Sequence, residues 1–270
     1  MSFKTRLATL VVTCITLAQA ATAHEFWIAP EPYQIDAGDP IRAQLRVGSD
    51  FAGSPQSYFP QRFARFEVKM GDDVWEVEGR IGDIPAMDMV VEGEGLAVIL
   101  HETKGDSLQY RTRELFESFV AHKDLTGTLE RHAERGLPEL EFREAYTRYA
   151  KSLVAIGDGE GADARFGLKV EVVAEANPYT DDLSEGFPVQ VFYEGEPRRE
   201  EQVEVFERAA DGAVTVTRLR TDTEGRLSFP VTSGSTYLVD SVVMEDTGND
   251  DPEAGPVWHS AWASLTFTVP

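Results

Sequence analysis

The chain has 270 residues, 47 acidic against 25 basic, for a formal charge of −22. A chain this acidic is repelled by nucleic acid and by anionic lipid and gathers cations at its surface, which argues against both as partners. Its one cysteine, Cys14, falls in an amino-terminal segment that export would remove, so no disulfide, thiolate metal site or cysteine nucleophile is expected in what remains.

Residues 1–23 have the three parts of an export signal. Lys4 and Arg6 give the positive start, Leu7 to Leu17 is apolar, and Ala20-Ala21-Thr22-Ala23 supplies the small-x-small site. Cleavage after Ala23 makes His24 the first residue of a periplasmic protein. The apolar run is shorter than the roughly 20 residues a span needs, and no later segment is a candidate, so no membrane span is expected after cleavage.

Residues 24–100 alternate as strands do, in Arg42–Val47, Phe63–Lys69 and Val74–Glu78, while Leu96–Leu100 is a continuous apolar run suited to a strand buried on both faces. Residues 111–156 carry apolar side chains at helical spacing: Leu115, Phe116, Phe119, Val120, then Phe142, Tyr146, Tyr149, Leu153. Gly136 and Pro138 divide this stretch into at least two helices. Phe166–Ala176 is again a strand, expected to resume the first sheet. From Phe187 onward short strands and turns follow one another. The expected fold is mainly β: two β-sandwich units, 24–178 with a helical insertion at about 111–156, and 187–270. In the second unit Gly195-Glu-Pro197, Val203-Glu-Val205, Thr221-Asp-Thr-Glu-Gly225 with Phe229, and Gly234 with Tyr237 resemble the rhythm of transthyretin-like or Cna-B-like sandwiches. That rhythm speaks for fold and not for activity.

His24 is the most informative residue. At a new amino terminus its α-amine and imidazole can chelate one metal ion, and a second histidine would complete a three-nitrogen brace suited to Cu(II). An α-amine with a pKa of about 7.7–8 gives up its proton readily to a metal. His101, at the end of the buried-looking strand, and His259, before the last one, are the candidate partners; His122 and His132 lie among charged neighbours as surface residues. No zinc-protease, EF-hand, phosphate-loop or nucleophile-elbow motif occurs. Trp27, Trp75, Trp258 and Trp262 lie on or beside strands and are assigned to the core.

Several segments together resemble the NikM-like family of proteobacterial periplasmic proteins. They are His24-Glu-Phe-Trp-Ile-Ala-Pro30, His101-Glu-Thr-Lys104, Arg143-Glu-Ala-Tyr-Thr-Arg-Tyr-Ala-Lys-Ser-Leu153, Leu168 to Pro178, and Trp258 to Phe267. The resemblance implies a periplasmic component of nickel or cobalt uptake with His24 as a ligand and a membrane transporter or outer-membrane receptor as partner. It also implies a histidine in the strand Asp240–Met244, where this chain has Val243. The leading expectation is a non-enzymatic protein that binds nickel, cobalt or copper through His24, His101 and His259. The rivals are an envelope module that binds protein or glycan, and a copper oxidoreductase of the brace type.

Overall fold

The computed structural model describes residues 24–270; the expected export signal lies outside the described residues. The first half of the chain forms β1 (Glu25–Pro30), β2 (Gln34–Ile35), β3 (Pro40–Ser49), β4 (Ala52–Gln56), β5 (Phe63–Met70), β6 (Asp73–Glu76), β7 (Met87–Val90), β8 (Gly95–Thr103) and β9 (Asp106–Gln109). Helices α1 (Arg113–His122) and α2 (Thr128–Glu134) follow, then β10 (Arg143–Ile156) and β11 (Val170–Ala174). The last stretch holds β12 (Phe187–Tyr193), β13 (Glu196–Pro197), β14 (Gln202–Arg208), β15 (Val214–Arg220), β16 (Arg226–Phe229), β17 (Thr236–Asp246) and β18 (Trp258–Thr268). The fold is mainly β, as expected. No helix of the described residues is long and apolar enough to cross a membrane.

One ten-stranded sheet organises the molecule. Its order is β15-β14-β17-β18-β10-β8-β5-β6, with β2 and β9 also paired to β10. Side-chain alternation gives this sheet two apolar faces. Val154, Ala150, Ile99 and Val68 pack with Phe26, Ile28 and Leu45 of the small sheet β1-β3-β4, to which β7 adds. Farther along the same face, Trp258, Trp262, Val242 and Met244 meet Phe116, Phe119 and Val120 of α1. The opposite face presents Tyr149, Leu153, Ala261, Leu265 and Val239 to Val172, Val189 and Phe187 of a second small sheet, β11-β12-β13 with β16. The result is sheet packed on sheet in three layers.

The structure corrects the expected organisation at three points. Helix occupies only Arg113–His122 and Thr128–Glu134, and Arg143–Ile156 is a strand. It lies beside β18 in parallel and β8 in antiparallel register. Tyr149–Ile156 is buried throughout, so apolar residues fill both faces and the two-residue period disappears from the sequence. Second, β11 does not resume the first sheet but pairs with β12, Val172 opposite Val191. Third, strands from 24–178 and from 187–270 share the ten-stranded sheet, joined at the β10–β18 pairing from Glu144↔Trp258 to Ser152↔Thr266.

Candidate functional site

β1 brings a charged residue into the interior. Alternation sends Phe26 and Ile28 toward one core, and Trp27 and Ala29 toward another with Phe51, Phe206 and Leu238. Glu25 has the parity of Trp27 and faces β14 and β17. The end of α1 supplies the counter-charge: Lys123 follows the helix and is 4% exposed. Its Nζ donates to Glu25 Oε1 at 2.9 Å, Glu204 Oε2 at 2.6 Å and Asp240 Oδ2 at 2.9 Å. It also stands 5.0 Å from the centre of the Trp262 ring.

Three buried carboxylates therefore share one buried ammonium. Burial pushes the Glu25 carboxyl up to about 7 against the pull of Lys123, and burial likewise raises Asp240. Burial also acts on Glu204, but hydrogen bonds and charge from His122 and Lys123 outweigh it and hold this group down at about 2. Glu204 Oε1 takes the Arg218 Nε hydrogen bond at 2.9 Å and lies 3.3 Å from His122 Nε2. Glu25 differs, because its Oε2 is buried with no hydrogen-bond partner. An orphaned buried carboxylate oxygen is costly unless a ligand completes it.

One donor atom each from Glu25, His122 and Glu204 lies within 4.8 Å of the others. One imidazole nitrogen and two carboxylate oxygens form a borderline donor set of the kind first-row transition metals accept. The orphaned Glu25 oxygen is an open donor, and the half-exposed His122, with Nε2 3.3 Å from Glu204 and Nδ1 3.4 Å from Arg218, can turn a nitrogen to an ion by giving up one of these contacts, so these residues fit a metal ion. His24, exposed, precedes Glu25 directly. Its side chain lines a cavity of about 260 Å³ with Glu144, Tyr146, Arg148 and Trp262. At the floor Glu144 Oε2 accepts a 2.6 Å hydrogen bond from Tyr110, and Ser260 donates to Oε1. Burial pushes Glu144 up to about 7 despite these bonds.

The structure separates the three histidines expected to act together. His101 is buried among aromatic rings at the wall of a larger cavity, with centroids 5.1 Å from Phe26, 4.6 Å from Phe63 and 5.0 Å from Phe66. Neither ring nitrogen has a partner, and burial pushes the imidazole down to about 3. His259 shares the parity of Ala261 and so points to the face opposite Trp262 and the His24 cavity. Its Nδ1 lies 2.8 Å from Glu245 Oε2 and its Nε2 3.0 Å from Thr147 Oγ1, so both nitrogens are engaged. His132 accepts a hydrogen bond from Trp258 Nε1 at 3.0 Å and is part of the aromatic core. Trp27 and Trp258 are fully buried, in keeping with their assignment to the core.

Sequence reasoning missed Glu25, Lys123, Glu204, Asp240 and the role of His122. A signal existed for some of them: Glu204 and Asp240 interrupt the apolar runs Val203–Phe206 and Leu238–Val243, and Glu25 sits in a strand whose every residue is buried. Charges inside such runs are rarely buried without a partner.

No curated protein matches the sequence significantly. Among solved structures the chain is similar to the tetra-tandem repeat in the extending region of a large adhesion protein, at 8% identity and a TM-score of 0.22. That comparison covers 91% of this chain and 49% of the other, so the chain spans about half the length of that structure. The matched family region, residues 21–245, includes His24, Glu25, His101, His122, Lys123, Glu204 and Asp240 but not His259. By that match the chain belongs to the family described as "Domain of unknown function (DUF4198)".

Proposed function

We propose that the exported chain is a periplasmic protein that binds Ni(II), Co(II) or Cu(II) at its amino terminus and assists the uptake or delivery of that ion. The observation that carries this reading is the convergence of Glu25, His122 and Glu204 donors, with Glu25 Oε2 buried and unpartnered on the residue that directly follows His24 in the chain. The resemblance of His24–Pro30 to the NikM-like opening favours nickel or cobalt. In this reading His24 contributes its amine and imidazole, His122 a nitrogen, and Glu25 and Glu204 their oxygens. Lys123 holds the carboxylates together before the ion arrives.

Proton balance follows from the ligands. The amine titrates near 7.7–8 and must lose its proton to bind. Glu25, held up to about 7 by burial, must lose its proton too. Affinity is therefore expected to rise between about pH 6 and 8.5.

The test is a competition titration with Ni(II), Co(II) and Cu(II) against a chromophoric chelator. His122→Ala, at a half-exposed side chain, is expected to weaken binding at least tenfold, as is Glu204→Gln. His259→Ala, on the other face of the sheet, is expected to leave affinity unchanged. Equal affinity in His122→Ala, or a loss in His259→Ala instead, contradicts the assignment.

A further inference from the structure

A larger cavity, of about 700 Å³, opens between β3, β5, β8 and β10 on the same side of the central sheet. It falls within the range of small-molecule sites, about 300–1,000 Å³. Its character differs from the rest of this acidic molecule. Arg62, Lys104 and Arg148 line it against a single acid, Asp106, and Asp106 is engaged by the Tyr146 phenol.

Arg148 is the group that asks for a ligand. Among the described residues it makes no salt bridge; the Tyr146 phenol is its hydrogen-bond partner, and the charges of Asp106, Asp240 and Glu144 act on it at longer range. Its Nε is buried without a partner, while its guanidinium lies 4.6 Å from the Tyr146 ring centre and 5.8 Å from that of Phe26. A planar guanidinium is the natural fork for a carboxylate. Also beside Phe26, at 5.1 Å between ring centres, the neutral His101 ring, with both nitrogens unpartnered, offers one donor and one acceptor. The wall between them is aromatic: Phe26, Phe63 and Tyr146.

We propose that this cavity is a binding site for a small aromatic or hydrophobic hydroxy acid, its carboxylate on Arg148 and its hydroxyl on His101. Glu25 faces the other side of β1 from Phe26, so the carboxylates of the metal cluster lie outside this cavity, while Tyr146 and Arg148 also line the smaller cavity beside His24. A ligand bound here completes two buried polar groups at once, the Arg148 Nε and one His101 nitrogen, which is the type of differential satisfaction that gives a site its specificity.

The experiment uses the full mature chain with metals removed by chelator, so that the outcome is independent of the metal reading. Calorimetric titration with 4-hydroxybenzoate is compared with titrations of benzoate and 4-hydroxybenzyl alcohol. The hydroxy acid is expected to bind, and each comparison compound to bind at least tenfold more weakly. Arg148→Gln is expected to lose at least tenfold for 4-hydroxybenzoate. His101→Phe, which keeps a ring in the aromatic box, is expected to erase the preference over benzoate. Ser57→Trp, at a half-buried lining position away from both groups, is expected to abolish binding by filling the space; it also serves as the reference if Arg148→Gln does not fold. Absence of 4-hydroxybenzoate binding up to about 10 mM, far weaker than a specific site, overturns the proposal. Equal binding of the acid and the alcohol, or unchanged affinity in Ser57→Trp, overturns it as well.

Discussion

Lys123 is worth more to this protein than an ordinary surface lysine because three buried carboxylates converge on it. Removing one partner from a buried ionic cluster strands the others, typically at about 3–5 kcal/mol. Lys123→Met is therefore expected to lower the urea midpoint sharply at pH 8. At pH 5 the loss is expected to be smaller, since Glu25, held up to about 7 by burial, then keeps its proton and needs the ammonium less. Equilibrium unfolding at the two pH values checks this; an equal or greater loss at pH 5 contradicts it. The same residues show what one-dimensional reading misses. Lys123, Glu204 and Asp240 are far apart in sequence, and nothing local to any of them reveals that the other two are neighbours. His24 stood out only by its place after the expected cleavage site. His122 looked like a solvated helix residue, and its exposed side chain fits that description until Glu204 arrives from β14.

At the level of elements, legibility tracked burial. β3 and β5, each with one face in the core and one half exposed, alternate in the sequence as they do in the structure. α1 kept its helical spacing because one face alone is buried, at Phe116, Phe119 and Val120. β10 misled because a strand with two buried faces places Tyr149 and Leu153 against one core and Ala150 and Val154 against the other, and the spacing of one set mimics a helix. The β3–β4 hairpin carries a tighter constraint. Gly53 faces Gly48 across the pair, and a Cβ on Gly53 would come within 2.6 Å of Trp27 Cη2 and of the Val47 carbonyl oxygen. Since the Val47 backbone cannot yield like a side-chain tip, Gly53→Ala is expected to cost about 1–3 kcal/mol. Thermal unfolding of the variant measures it, and an unchanged midpoint contradicts the tight packing of Trp27.

The whole molecule combines a strong negative charge with acids buried in unfavourable surroundings. Glu25 and Glu144 keep their protons to about 7 in the folded chain, against an ordinary value of 4.5. Between these values the folded chain binds more protons than the unfolded one, so stability falls as pH rises through about 4.5 to 7. His101 works in the opposite sense: held down to about 3, it withholds a proton the unfolded chain would take below 6.5. Glu25 and Glu144 together outweigh His101, the lowered His132 and the raised Asp240 act in opposite directions, and Glu204, held at about 2, loses its contribution only as pH falls below 4.5. The metal-free protein is therefore expected to be more stable near pH 5 than at pH 8. Glu144→Gln, which removes one of the two acids, is expected to narrow the difference. Greater stability at pH 8 than at pH 5 in chemical denaturation contradicts this balance.

A metal site built on a free amino terminus at His24 is tested most directly by a metal-competition titration on protein confirmed by mass spectrometry to begin at His24, beside the same protein with one alanine added in front. Tight binding is expected, weakened at least tenfold by the added alanine, because the α-amine is moved away from the Glu25–His122–Glu204 donors. Equal affinity in the two proteins, or no binding in either, would contradict it.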